Sequence, residues 1–348
     1  MDEGPSTDSP LPSAVAAGLV PSHTEAPELA SASDRNLPLV HVAMATFNGR
    51  RWIAQQVRSI LSQEGVRVRL VVSDDGSTDG TVRWLRDLAA ADPRVTLLPR
   101  RAGEPGVGAN FLYAFEALDL RPGEYAAFSD QDDLWRPGKL ARQVALLQAA
   151  AIEAVSSNVV AFTANEGAPP TKRTVHKSDD QTQWDFLFEA PGPGSTFLLT
   201  EPAWRLVVDD IRSGGAESVW LHDWYVYALL RAADTGWFID DQPQVAYRQH
   251  GHNALGQHRG AAAIKARFAN LASGKYRDQF VLMAEAADRV GRQQGRDEEW
   301  LDQLAELTAL LRDRSIGSRA RMFARFPQIR RNRFEGFALA TACLLGAW

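Results

Sequence analysis

A chain of 348 residues with 45% hydrophobic content can bury a sizeable core as one large domain or two. A net charge of −5 supplies no overall positive field for nucleic acid, and the single cysteine, Cys343, excludes an intrachain disulfide framework or a cysteine-built zinc site and suits a reducing, cytoplasmic compartment. No run reaches the ~18 apolar residues of a membrane span; residues 334–348 come nearest and are interrupted by Glu335.

Residues 1–38 are rich in Pro, Ser, Ala and acidic side chains, lack the basic start and apolar stretch of a secretory signal, and read as a disordered extension. Residues 39–45 then form a nearly continuous apolar run, the mark of a strand covered on both faces. Ile53, Val57, Ile60 and Leu61 share one face of a helix that ends at Gly65. Residues 66–73 read as a second strand. Asp74-Asp75-Gly76-Ser77-Thr78-Asp79-Gly80 follows as a turn with helix-capping chemistry, ahead of a helix through Val82, Leu85 and Leu88. Residues 94–98 predict a third strand, 110–120 a helix and 124–128 a fourth strand. This alternation argues for an α/β fold with a mostly parallel sheet flanked by helices.

The second half is less regular. Pro137 suits the first turn of a helix through Leu140, Val144 and Leu147. Residues 155–163 look like a strand, 167–183 like a polar excursion, and 196–199 like a short strand after Gly192-Pro193-Gly194. Residues 222–233 read as a helix, 237–247 as a strand pair broken at Pro243, and the chain beyond Gly260 as helical. Three regions result: the extension over 1–38, an α/β domain over 39–258 and a helical C-terminal region over 259–348. Between Asp313 and Glu335 there is no acidic residue, while Arg314, Arg319, Arg321, Arg325, Arg330, Arg331 and Arg333 gather beside Met322, Phe323, Phe326 and Phe334. Such a segment can lie on an anionic membrane surface; a solvated helix face with some aromatics in the core is the alternative, and both stay open.

The sharpest chemical signal is Ser129-Asp130-Gln131-Asp132-Asp133, directly after the apolar run 125–128. Carboxylates this close repel one another unless a cation neutralises them, and a strand's carboxyl end is where open parallel sheets bind ligands. Magnesium or manganese bridging Asp130 and Asp132 to substrate phosphates fits, with Asp133 turned back as a structural group. Taken alone, an acidic surface turn explains the same residues. Asp75 ends the second strand on the same rim and can accept the imide N–H of a uracil or thymine ring, while Thr78 and Asp79 suit turn and cap roles. Thr46, Asn48 and Gly49 close the first strand with small polar groups that admit a base or ribose. The glycine pair before Asn110 resembles a phosphate cradle but is no dinucleotide fingerprint. Asp223, at a helix start among Trp220, Trp224 and Tyr225, suits a general base, with an N-cap role as the alternative. His250 can offer an imidazole to the metal.

Together, Ala45-Thr46-Phe47-Asn48-Gly49, Val72-Ser73-Asp74-Asp75-Gly76-Ser77-Thr78-Asp79-Gly80-Thr81, Phe128-Ser129-Asp130-Gln131-Asp132-Asp133-Leu134-Trp135, His222-Asp223-Trp224 and Tyr247-Arg248-Gln249-His250 resemble the family-2 inverting glycosyltransferases of the GT-A fold, in their bacterial rhamnosyltransferase-like branch. The resemblance runs from about Val40 to Gly256 and leaves the C-terminal region unmatched. It implies a Mg2+- or Mn2+-dependent transfer of a sugar, rhamnose favoured, from a nucleoside-diphosphate donor (dTDP-rhamnose favoured) to a glycan or polyprenyl-linked acceptor in cell-surface polysaccharide synthesis. By resemblance, Thr46, Asn48 and Asp75 hold the nucleotide, Asn110 and Asp130 its sugar and ribose side, and Asp132 and His250 the metal. Asp223 is the base, and Ser195, Thr196 and Trp224 shape the acceptor side. A sugar-nucleotide-forming nucleotidyltransferase would want a Gly-rich, basic loop directly after the first strand, where only Phe47-Asn48-Gly49-Arg50-Arg51 stands. A non-catalytic scaffold of the same fold is the remaining alternative.

Overall fold

The computed structural model describes residues 36–163, 171–250 and 274–348. The expected N-terminal extension lies outside the described residues as far as residue 35, and so does the expected boundary at 258–259. The first half alternates β1 (Leu39–Thr46), α1 (Ile53–Leu61), β2 (Arg67–Asp74), α2 (Thr81–Ala91), β3 (Val95–Leu97), α3 (Val107–Glu116) and β4 (Tyr125–Ser129). β1 is buried along its whole length, which is why its sequence runs apolar instead of alternating. β3, β2, β1 and β4 pair in parallel in that order, as the alternation predicted. The third helix starts at Val107, earlier than expected, with Gly106 as its extended N-cap.

The second half adds β5 (Leu134–Trp135), α4 (Lys139–Ala150), β6 (Ala154–Thr163), β7 (Thr171–Val175), a 3-10 turn at Gly194–Thr196, β8 (Leu198–Thr200), α5 (Glu201–Arg212), α6 (His222–Ala232) and β9 (Trp237–Arg248). Among the described residues these complete a nine-stranded sheet in the order β3-β2-β1-β4-β8-β6-β9-β5, with β7 on β6. Two expectations need correction. The polar excursion contains β7, whose exposed face accounts for its polar sequence. The strand pair expected over 237–247 is one strand with a slip: Ser157 pairs with Asp240 and Val159 with Val245, so Pro243 falls in a stretch with no partner on β6. Its missing N–H therefore leaves no ladder bond unmade.

Among the described residues four further α-helices follow, α7 (Lys275–Gln293), α8 (Glu298–Arg312), α9 (Ile316–Ala324) and α10 (Arg333–Leu344). They share a core with the sheet domain. Phe280 of α7 packs its ring 5.5 Å from Trp224 and 4.8 Å from Phe188. α6 is consequently buried nearly all round, a helix between a sheet and a helical layer. A buried ionic knot ties the same layers: Asp185 accepts from Tyr227 Oη (2.7 Å), Arg231 Nη1 (2.9 Å) and Arg331 Nη1 (2.8 Å), and Arg331 Nη2 also reaches Glu189 (3.0 Å). No described helix is long and apolar enough to cross a membrane. Removing one partner of a buried ion pair typically costs about 3–5 kcal/mol. Arg331→Ala should therefore lose stability on that scale in urea unfolding; a loss under about 1 kcal/mol would show that the knot does not hold the helices to the sheet.

Candidate active site

The parallel order places the carboxyl ends of β1, β2 and β4 on one rim, where Thr46, Asp75 and Asp130 stand. The segment after β4 is held there by its central residue. Gln131 Oε1 accepts from Phe47 N at 3.0 Å and Gln131 Nε2 donates to Phe47 O at 2.9 Å, so the side chain copies a strand partner for the end of β1. Gly49 makes room for it, since a Cβ there would overlap Gln131 Oε1. Behind it, Gln56 Nε2 donates to Ser129 Oγ at 2.8 Å. Asp133 turns inward and accepts from Ser195 Oγ (2.9 Å) and Arg248 N (3.0 Å). Asp130 and Asp132 are left lining a cleft of about 380 Å³ together with Thr46, Asn110, Asp223, Trp224 and Tyr247.

The electrostatics of that cleft are those of crowded acids. Burial, then the charges of Asp132 and Asp223, push Asp130 up to about 8. Burial and the charges of Asp130 and Asp132 raise Asp133 well above the carboxylate range. Asp132 Oδ2 lies 2.6 Å from His250 Nε2, and the His250 ring stacks on Trp52 with centroids 5.7 Å apart. Asp223, in the first turn of α6, has Oδ1 bonded by Trp224 N at 2.8 Å. Burial pushes it up to about 6, against the pull of backbone N–H groups and of the Lys177 ammonium.

The other expected site residues divide into two groups. Asp75 Oδ2 accepts from Arg101 Nη2 (3.0 Å) and Gly106 N (2.6 Å), which ties the loop before α3 across it; both bonds fall on one oxygen. Thr46 lines the cleft, with its hydroxyl donated to Asp74 Oδ2 at 2.7 Å. Trp224 lines it too, its indole N–H donated to Phe186 O at 2.9 Å. The remaining polar side chains have structural partners. Asn110 clamps the strand ends: Nδ2 donates to Thr46 O and Ser73 O, both at 3.2 Å, and Oδ1 accepts from Ser73 Oγ at 2.6 Å. Both amide donors are taken by the clamp, while Asn110 still lines the cleft and its oxygen keeps a second acceptor position. Asn48, at positive φ, accepts from Thr78 N at 2.8 Å and is not among the cleft residues. Ser195 and Thr196 are fully buried, one bonded to Asp133 and the other to Pro193 O at 2.7 Å, so they support the wall without facing an acceptor. The part of that turn that lines the cleft is Gly192-Pro193-Gly194.

Sequence reasoning missed four contributors. Gln131 and His222 sat inside quoted motifs without a role. His222 stacks on Phe111 with centroids 3.8 Å apart, in a space that a Cβ at Gly194 would invade, and burial holds it down to about 3, hence neutral. Lys177 and Arg330 also line the cleft, one from the polar stretch after β7 and the other from the C-terminal region. Nothing in local periodicity signals either one.

Residues 41–198 match the family described as glycosyl transferase family 2. Over 248 residues the chain is 32% identical to the dTDP-rhamnosyl transferase RfbG of Shigella flexneri, covering 70% of this chain and 84% of that protein. The chain belongs to glycosyltransferase family 2. A putative teichuronic acid biosynthesis glycosyltransferase of Bacillus subtilis, TuaG, is 29% identical over 187 residues, 53% of this chain and 71% of that protein. In fold, the chain resembles S. aureus TarS 1-349 solved with UDP-GlcNAc, with a TM-score of 0.51 at 12% identity and 89% coverage of each chain. The family's GT-A arrangement is thus present. It accounts for the mostly parallel sheet with flanking helices and for the ligand cleft at the strand ends. Within this family member, the Gly49–Gln131 fit sets the position of the acidic segment. Overpacking costs roughly 1–3 kcal/mol. Gly49→Ala should lower the melting temperature accordingly and weaken nucleotide binding; unchanged values for both would mean that Gln131 does not anchor the rim.

Proposed function

We propose that this family-2 glycosyltransferase is an inverting, divalent-cation-dependent enzyme that moves a sugar, rhamnose first among candidates, from a nucleoside diphosphate onto a hydroxyl of a glycan or lipid-linked glycan during cell-surface polysaccharide synthesis. The observation that carries it is Asp223 facing Asp130 and Asp132 across one cleft. The rhamnose preference is supported by the motif resemblance and by the name of the Shigella relative. Residues 39–258 are taken as the transferase domain and 259–348 as the helical region that completes its wall.

The residues present fit a cation. A carboxylate and an imidazole from Asp132 and His250 meet at 2.6 Å, and Asp130 adds a carboxyl group whose ionisation is disfavoured until positive charge arrives. Among the described residues there is no set of three protein ligands. Magnesium or manganese needs only one or two, with diphosphate and water oxygens filling the rest. When bound, the ion supplies Lewis-acid stabilisation of the departing diphosphate.

The chain's own groups do the rest. Trp224 N fixes Asp223 Oδ1, and the carboxylate so oriented takes the proton from the acceptor hydroxyl as that oxygen attacks the anomeric carbon opposite the leaving nucleotide. The new C–O bond forms as the bond to the diphosphate breaks, which inverts the centre. Asp75 Oδ1, free of the two bonds on Oδ2, is the atom offered to the base's imide N–H.

The deciding experiment offers dTDP-rhamnose, UDP-GlcNAc and GDP-mannose with and without Mn2+ and reads nucleoside diphosphate release. Release from none of them, or release indifferent to metal, overturns the proposal. General-base help is typically worth ~10²–10⁴ in rate. Asp223→Asn should therefore lose that much in kcat with little change in donor KM, and full turnover would remove Asp223 as the base. Asp223 works only when ionised, so kcat should fall about tenfold per pH unit below about 6 and level off above it in a pH–rate profile.

The C-terminal surface supports a place at the inner face of the cell membrane. Ile316, Phe334 and Leu345 are 79%, 86% and 78% exposed, and Arg314, Arg321 and Arg333 are exposed around them. Each Lys or Arg near an anionic bilayer contributes roughly 1 kcal/mol. The full chain should pellet with phosphatidylglycerol vesicles at low salt and be released at high salt, and Phe334→Ser should weaken pelleting; a wild-type chain left in the supernatant at low salt would refute the assignment.

A further inference from the structure

Past Asp223 the cleft continues into a wall made by residues 188–190 and 192–194, Tyr276, Lys177 and Arg330. Lys177 is delivered to it deliberately. Its backbone N–H donates to Asn158 Oδ1 at 2.6 Å, and Asn158, at the β6–β9 slip, is held by Asp241 O at 2.9 Å and Ser178 Oγ at 3.0 Å. Its stem runs past Gly192. The ammonium makes no hydrogen bond or ion pair among the described residues, although the side chain is half-buried.

The surrounding acids are already satisfied. Glu189 is bonded by Arg331 N (2.7 Å) and Nη2 (3.0 Å), Asp185 by Arg231 and Arg331, and Glu335 by Arg330. Arg330 also donates to Phe188 O at 3.2 Å. Lys177 is therefore the surplus positive charge of the wall, desolvated and without a hydrogen-bond partner of its own among the described residues, an arrangement that favours an incoming anion. It stands apart from the donor side. The charged neighbours of Lys177 are Glu189, Glu335, Arg330 and Arg331, those of Asp130 are Asp132 and Asp223, and Asp223 is the charge common to both ends.

We infer that Lys177, backed by Arg330, forms an anion subsite on the acceptor side of the cleft, so that the acceptor carries a phosphate or carboxylate close to the hydroxyl that Asp223 activates. This rests on the reading of Asp223 as base and of the Asp130–Asp132 side as the donor site. The anion can belong to a lipid-borne sugar phosphate or to an acidic soluble glycan. Arg330 bonds Glu335 on α10, next to exposed Phe334, so the subsite is continuous with the apolar C-terminal surface.

The test uses the full chain with its donor side filled by dTDP and Mn2+, titrated by calorimetry with decyl phosphate, inorganic phosphate, glucuronate and neutral decyl glucoside. Wild type should bind the anionic probes and not decyl glucoside. Lys177→Met should weaken them at least tenfold, and Lys177→Arg should restore most of that loss. Preference for decyl phosphate over inorganic phosphate and glucuronate assigns the anion to a lipid-borne acceptor; equal binding of all three anions assigns it to a soluble one. Either result upholds the subsite. Anionic probes that fail to bind, or that bind Lys177→Met as tightly as wild type, overturn it while dTDP–Mn2+ binding persists. Loss of dTDP–Mn2+ binding in the wild type itself would instead bring down the functional reading beneath it.

Discussion

Crowded carboxylates at the end of β4 are the constraint around which the cleft is arranged. Asp130, Asp132 and Asp133 would repel one another out of position if the chain did not hold each one separately. Gln131 does part of this by pairing with the Phe47 backbone, Ser195 and Arg248 N hold Asp133, and Arg248 Nε holds the Asp132 carbonyl at 2.8 Å. These bonds come from β1, the turn before β8 and the end of β9, so strands far apart in sequence must be assembled before the acidic rim can exist. Burial and the residual repulsion hold Asp130 and Asp133 above the usual carboxylate range, which is the ground for the cation proposed there.

α6 is the second element that everything else meets. Its first turn presents Asp223 to the cleft, and its sides are buried against Phe111, Phe186, Phe188 and Phe280. A carboxylate at the start of a helix is ordinarily stabilised by the free N–H groups there. Here burial outweighs that effect and leaves Asp223 near 6, basic enough to accept a proton and still ionised near neutrality. The C-terminal helices pack against α6 in the same apolar core, and Arg330 reaches the cleft from that region.

The first four strands and their helices were legible because each obeys a local rule: apolar runs for strands covered on both faces, apolar faces for helices, and Gly, Asp and Ser at turns. Asp130, Asp132, Asp223 and His250 were legible as motif residues. β7 was hidden because an edge strand with an exposed face reads as polar. The slip at Pro243 was hidden because register is a property of two strands. Ser195, Thr196 and Asn110 had polar identities that suited a ligand, yet their partners turned out to be Asp133, Pro193 and the ends of β1 and β2.

The sequence by itself determined the α/β layering, the rim that borders the cleft and the acidic identity of that rim, since these follow from residue type and short-range order. Only the tertiary structure decided which polar side chains are spent on the scaffold and which face the cleft. Only it brought Lys177 and Arg330 to the wall beyond Asp223. Hydrogen-bond partners and ionic neighbours are fixed by how distant segments pack, and no local pattern along the chain encodes them.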